Sequence, residues 1–216
     1  MEWIEFKDSA FLACRQDSGD TRFYACYCLN TDGEMYPALR KGSKISYNGK
    51  DIRFEKSRVY NYISEFSSVY SDGSVTNTVT VDGTKIYSAG AEALYSNLSV
   101  YIFAINYMGT SAIYGSKTRC YGLKIWQNGE LKRDFKPCVK NNRAGLYDAC
   151  SGKIYYSGSG TDLVYDENID DTVLDYVEAN GKTYLNTGIE GRSGTSAEME
   201  VMFMESGDLG FLESRN

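Results

Sequence analysis

Along most of the chain, apolar and polar residues alternate with a period of two, in short runs separated by turn dipeptides. Ile45-Ser46-Tyr47 leads through Asn48-Gly49 into Lys50-Asp51-Ile52-Arg53-Phe54. Thr78-Val79-Thr80-Val81 leads through Asp82-Gly83 into Thr84-Lys85-Ile86-Tyr87, and Gly122-Leu123-Lys124-Ile125-Trp126-Gln127 leads through Asn128-Gly129 into Glu130–Phe135. A period of two sends successive side chains to opposite faces of a strand, and Asn-Gly or Asp-Gly supplies the left-handed conformers of a type I′ hairpin turn. The pattern therefore predicts hairpins over 45–54, 78–87 and 122–135. Further strands are expected at Trp3–Phe6, Phe11–Arg15, Arg22–Cys28, Val100–Tyr107, Lys153–Tyr156, Thr183–Asn186 and Met199–Met204. Val59–Tyr70 stays open: Val59, Tyr62, Ile63 and Phe66 fit one face of a short helix, and the serine-rich surroundings fit a loop. Many short strands spaced by turns predict an all-β protein, an antiparallel β-sandwich or jelly roll.

Composition agrees with this. The chain has 216 residues, enough for one large all-β domain or a domain plus a fragment. Its 19 Tyr and 21 Gly against 2 Pro suit sheets joined by tight turns. The net charge of −6 is spread through the sequence, so no basic stripe exists to follow a phosphate backbone, and nucleic acid is not an expected partner. No apolar run approaches the roughly 20 residues that span a bilayer, so membrane insertion is not expected. Met1–Phe6 has neither the basic nor the apolar region of a signal peptide.

The six cysteines at 14, 26, 28, 120, 138 and 150 are sparse for a chain this long; they read as free, mostly buried thiols, with a disulfide as the alternative. Cys26-Tyr27-Cys28 has the spacing of two thiols on one strand face rather than of a metal knuckle, and no histidine is present to complete a site. The same lack of histidine removes the Ser-His and Cys-His nucleophile pairs and the commonest general base, so an enzyme is not expected. Ser157-Gly158-Ser159-Gly160 has no Lys-Ser/Thr ending and reads as a turn, not a phosphate loop.

An acidic run at Asp166–Asp171 reads as a solvated linker, 166–174, between a main body at 1–165 and a final segment at 175–216. Leu123–Cys138, LKIWQNGELKRDFKPC, is followed by Gly145-Leu146-Tyr147-Asp148 and by Gly152-Lys153-Ile154-Tyr155-Tyr156. Together these resemble the closing segment of concanavalin A-like, laminin-G-like jelly-roll modules of gut-bacterial surface proteins and phage structural proteins. Tyr176–Gly188, YVEANGKTYLNTG, is similar to the opening segment of the same modules, with Asn186 where their pattern has Asp. The resemblance implies a lectin/glucanase-type sandwich serving recognition or adhesion in a larger cell-surface, extracellular or virion-associated protein.

In this chain the opening motif follows the closing one. In addition, Met199-Glu200-Val201-Met202-Phe203 running on to Phe211–Arg215 repeats Met1–Glu5 running on to Phe11–Arg15. A slice of a tandem array, a circular permutation, and a chance likeness of similarly buried strands each account for this order. The first two leave two candidate strands for one sheet position, and strand exchange between copies becomes a route to self-association.

Sugar binding needs exposed rings with amide and carboxylate groups beside them. Tyr24, Tyr27, Tyr36, Tyr60 and Tyr62, interleaved with Asn30 and Asp32, provide that mix and are the expected ligand contacts; Asn61 and Tyr70 lie nearby. Trp126 is expected in core or rim packing, and Tyr147 and Asp148 at a hydrogen-bonded corner. The resemblance also admits one calcium ion, with Asp32, Asp72 and Asp82 in suitable turns, although each fits the ordinary preference of Asp for turns. Related glucanases carry Glu-x-Asp-x-x-Glu or Glu-x-Asp-x-Glu on one strand. Here Glu5-Phe6-Lys7-Asp8 and Glu198-Met199-Glu200 come nearest without matching. The expected function is weak, non-catalytic glycan binding, with a purely structural repeat or a degenerate glucanase as alternatives.

Overall fold

The computed structural model describes residues 9–15, 22–31, 34–41, 44–48, 54–55, 57–67, 70–92, 96–113, 115–165 and 173–205; before Phe54 its side chains are those of Phe11, Leu12 and Ala13. The strands in chain order are β1 (Ser9–Arg15), β2 (Arg22–Thr31), β3 (Glu34–Lys41), β4 (Lys44–Asn48), β5 (Val59–Phe66) and β6 (Ser74–Val81). Then come β7 (Thr84–Glu92), β8 (Ser99–Ile102), β9 (Ala104–Tyr107), β10 (Ser111–Ile113), β11 (Lys117–Gln127) and β12 (Glu130–Lys140). The last five are β13 (Arg143–Asp148), β14 (Lys153–Tyr155), β15 (Val177–Glu178), β16 (Leu185–Glu190) and β17 (Thr195–Glu205). No helix occurs among the described residues.

Two large sheets result. One has the order β10-β9-β1-β2-β3-β4, and the other β14-β13-β12-β11-β17-β5-β6-β7 with β15 also paired to β11. Pairing is antiparallel except between β1 and β9. A separate antiparallel pair joins β16 to β8. One apolar core holds Phe11 and Leu12 of the smaller sheet together with Tyr62, Val79, Leu123, Phe135, Leu146, Met199 and Val201 of the larger. The protein is all-β and consistent with a β-sandwich.

Two predicted hairpins form as expected. Asp82 and Gly83 sit at φ 49° and 77° between β6 and β7, and Asn128 and Gly129 at φ 52° and 80° between β11 and β12, the double positive φ of a type I′ turn. A third such turn, Asn141-Asn142 at φ 53° and 59°, joins β12 to β13 and was missed because Asn-Asn is a weaker signal than Asn-Gly. For the expected hairpin over 45–54, the turn at Gly49 and the run through Arg53 lie outside the described residues, as does Trp3–Phe6. β4 pairs with β3.

Val59–Phe66 is a strand, neither helix nor loop. Tyr60, Tyr62, Ser64 and Phe66 are buried in alternation, and Val59 and Ile63 take the opposite face, so the helical spacing of apolar residues is coincidental. The expected strand over 100–107 divides at Phe103, a fully buried residue at φ 69°. Its N–H donates to the Phe11 carbonyl, its own carbonyl accepts from the Ser116 N–H at 2.8 Å, and its ring packs edge-on to Phe11 at 5.2 Å. Those contacts hold a conformation that costs a bulky residue about 1–3 kcal/mol.

The final segment is woven into the larger sheet. β17 lies inside it, paired along its length with β11 on one side and β5 on the other. Ala197, Met199, Val201 and Phe203 all point into the core, each no more than 2% exposed. β15 continues the β12 side of β11, through Arg119 opposite Glu178 and Cys120 opposite Val177. The resemblance-bearing segments also meet. Arg133 Nε donates to the Thr187 carbonyl at 2.9 Å, and the Tyr184 ring lies against Gly158, where an added Cβ would be 2.9 Å from it.

Candidate functional site

The outer face of the larger sheet is polar because β11, β17 and β5 each alternate. Glu198 and Glu200 turn outward between buried Ala197, Met199 and Val201, while Asn61 turns outward between Tyr60 and Tyr62. Cross-strand register sets Lys124 opposite both Asp134 and Glu198, and Glu200 opposite both Gly122 and Asn61. Asn61 Nδ2 donates to Glu198 Oε1 at 3.4 Å, a diagonal link across β5 and β17.

The face is not flat. The β11–β17 register slips between Cys120 and Gly122, so Tyr121 is an extra residue on β11. Such a bulge bends its strand and re-aims side chains. Gly122, beside the bulge and opposite Glu200, adds no side chain to the face. The result is an open cleft of about 330 Å³ floored by Gly122 and bordered by Tyr121, Asn61, Glu198 and Glu200. On the β12 side it is closed by Pro137 and by Val173-Leu174, which are fixed by the Leu174 N–H donating to the Pro137 carbonyl at 3.1 Å. Lys124, Lys136 and Asp134 complete the rim.

Tyr121 is held on its other side. Its hydroxyl lies 3.9 Å from Met202 Sδ, and its ring is 5.6 Å from that of Tyr176. The Arg119 guanidinium stacks over Tyr176 at 4.3 Å and donates to Glu178 Oε2 at 2.8 Å, a bond that raises the arginine above its ordinary range. Burial pushes the Tyr121 phenol up, so its hydroxyl keeps its proton well into the alkaline range.

The residues expected to bind a ligand are placed differently. Tyr60 and Tyr62 are corrections: at 3% and 0% exposed they belong to the core, Tyr60 edge-on to Phe54 at 4.8 Å with its hydroxyl accepting from the Glu55 N–H at 2.7 Å. They offer no exposed ring to a sugar. Tyr24, Tyr27 and Asn30 lie on β2 and Tyr36 on β3, with backbone partners Ala13, Ala10, Met35 and Leu29 respectively, in the other sheet. Asp32 lies outside the described residues. Of the calcium candidates, Asp72 Oδ1 accepts from the Ser74 N–H at 2.9 Å and Oγ at 2.6 Å, while Asp82 accepts from Arg58 Nη2 at 2.8 Å and the Asn61 N–H at 3.0 Å. The Asp72 carboxylate serves its own turn and that of Asp82 ties its turn to the start of β5, and no cluster of three or more potential metal ligands occurs among the described residues. Asn186 Oδ1 likewise accepts from the Gly188 N–H at 2.9 Å, a turn that either Asn or Asp can make.

Sequence reasoning missed the cleft because its floor is a glycine and its walls come from five separated stretches. One signal was present: Gly122 lies inside a run that otherwise alternates, and a glycine within a strand marks a bulge or a close approach.

These features define an all-β, two-sheet protein with an open polar cleft on the face of its larger sheet. Compared with protein-family models, curated proteins and solved structures, the chain matches none.

Proposed function

We propose that the protein is a non-catalytic, lectin-like recognition module of the concanavalin A-like jelly-roll kind, working in a larger surface or virion-associated protein. In this reading 175–216 supplies the opening strands of a permuted module, or those of the next module in an array. The cleft over Gly122 holds one unit of a glycan. The observation that carries this is the composition of the cleft: a fixed tyrosine ring beside a floor with no side chain, and an amide and carboxylates within reach of sugar hydroxyls. A volume of about 330 Å³ is at the small end of ligand sites, which suits a single sugar and weak binding. A glycan array of the full chain tests the reading. Saturable hits that disappear in Tyr121→Ala support it, and an array without saturable hits sinks it.

A second reading, a structural repeat that assembles by strand exchange, draws on the interior position of β17 and on the recurrence of its sequence at Met1–Glu5. Mass measured by light scattering across a concentration series separates the two: an array with no hits and oligomers that grow with concentration favour assembly. A third reading, glycoside hydrolysis, draws on Glu198 and Glu200, two residues apart on one face of one strand and both lining the cleft. Release of reducing ends from a bound glycan would establish it in place of simple binding.

A further inference from the structure

The rim of the cleft is polar on both sides, with Asn61, Glu198 and Glu200 toward β5 and β17 and Asp134 and Lys136 toward β12, and one exposed apolar side chain, Val173, interrupts it on the β12 side. At 68%, Val173 is the most exposed of the large apolar residues described. A plain hexose has apolar C–H groups on its ring faces but hydroxyls round its edge, and so no methyl to set against that side chain. We propose that the cleft selects a 2-acetamido-2-deoxyhexose unit, an inference that rests on the glycan-binding reading and deepens it.

The fit follows from strand spacing. β12 and β17 are two strands apart, about 9.6 Å, close to the span of a pyranose ring with its acetamido arm. With the ring over Gly122 and beside Tyr121, the acetamido methyl reaches Val173. Hydroxyls on the far side then reach Glu198, Glu200 and Asn61, where carboxylates accept and the amide donates or accepts. Lys124 and Lys136 on the rim donate to the remaining oxygens.

Gly122 fits this role. It lies in the interior of the larger sheet, where glycine is less favourable than alanine by roughly 0.5–1 kcal/mol. Its φ is not positive, and an added Cβ would meet nothing nearer than the Phe135 carbonyl oxygen at 3.8 Å. Neither backbone conformation nor packing within the protein requires glycine there, whereas a sugar lying on the sheet does.

The test is titration of the full chain, followed by amide NMR, with β-1,4-linked trisaccharides of N-acetylglucosamine and of glucose. The acetamido trisaccharide should bind about fourfold more tightly, the worth of one buried methyl. Gly122→Val should lose at least tenfold for both sugars with its melting temperature maintained. Val173→Ser, a change at an exposed position, should bring the two affinities together. Equal affinities in the wild type, or a preference unchanged by Val173→Ser, would overturn the acetamido assignment and leave glycan recognition standing. No shift with either trisaccharide, together with an array free of hits, would remove both.

Discussion

Asp148 is the fully buried charged side chain of the described structure, and replacing it gives a sharp test of the packing around it. Its carboxylate is fully buried. Oδ1 accepts from the Asp134 N–H at 2.9 Å and the Cys150 N–H at 3.1 Å, Oδ2 accepts from Ser151 Oγ at 2.6 Å, and Arg133 Nε lies 3.7 Å from Oδ2. Hydrogen bonds to a charged acceptor contribute roughly 1.5–3 kcal/mol each, so a simple sum over three gives about 5–9 kcal/mol. The sum overestimates, because Cys150 and Ser151 are in an exposed turn and water replaces the carboxylate for them. Asp148→Ala leaves the Asp134 N–H without its acceptor and takes the counter-charge from Arg133, whose side chain is 19% exposed and keeps its bonds to the Thr187 and Lys132 carbonyls. Breaking a buried pair of this kind costs about 3–5 kcal/mol. Asp148→Asn keeps an oxygen for both N–H donors and turns its amide toward Ser151, whose hydroxyl can rotate to accept, so the cost falls to about 1–2 kcal/mol. Denaturant titration gives both values. For a chain of 216 residues the alanine change should lower the melting temperature by roughly 6–20 °C. An alanine variant within about 1 kcal/mol of wild type, or an asparagine variant as unstable as the alanine one, would refute the reasoning.

Gly122→Ala and Gly129→Ala should shift stability in opposite directions. The first gains roughly 0.5–1 kcal/mol, and the second, at φ 80° in a type I′ turn, loses about 1 kcal/mol, both read from denaturation midpoints. Burial pushes the Cys120 thiol up to about 12 from an ordinary 9.0, so above pH 9 the unfolded chain loses a proton that the folded chain keeps. Stability from this group is therefore complete below pH 9 and declines by about 1.4 kcal/mol per unit up to pH 12; a Cys120→Ala variant should lose that component of the alkaline slope, and equal slopes would contradict the burial argument. Phe203→Glu should cost more than about 4 kcal/mol, because it sets an unpaired charge at a 2% exposed site against Phe54; a variant that folds within 1 kcal/mol of wild type would show that the site tolerates charge.

The sheet-rich architecture was legible wherever local chemistry decides the structure. Asp82-Gly83 and Asn128-Gly129 form the turns their dipeptides specify, since only such residues enter the left-handed region at low cost. Asp148 was legible as a corner because an aspartate carboxylate bonds the turn that follows it. Val59–Phe66 was not, because its inward row is tyrosine, tyrosine, serine and phenylalanine, which hydropathy reads as mixed. Tyr60 and Tyr62 misled for the converse reason: tyrosine is at home both at a binding surface and in a core that engages its hydroxyl, and which applies depends on what packs over it. The cleft depends on register, and the bulge at Tyr121 appears only when β17 is laid beside β11.

That register also bears on the repeated termini. Placed in the position of β17, Met1–Glu5 would set Met1 where Met199 sits, Trp3 where Val201 sits and Glu5 where Phe203 sits. Val201 is 0% and Phe203 2% exposed. Tryptophan for valine overpacks a filled site at about 1–3 kcal/mol, and a buried, unpaired glutamate costs several more. The two segments are alike in spacing and unequal in energy, and the tail holds the position by a wide margin. Any exchange between copies would therefore have to move 173–205 as a unit, since β15, β16 and β17 each bond a different part of the body. Such an exchange would carry Val173, Leu174, Glu198 and Glu200 into the cleft of the neighbouring copy, beside that copy's Asn61, Tyr121 and Gly122. Recognition and assembly would then share one site: the cleft forms only where a tail is seated, whichever copy supplies it.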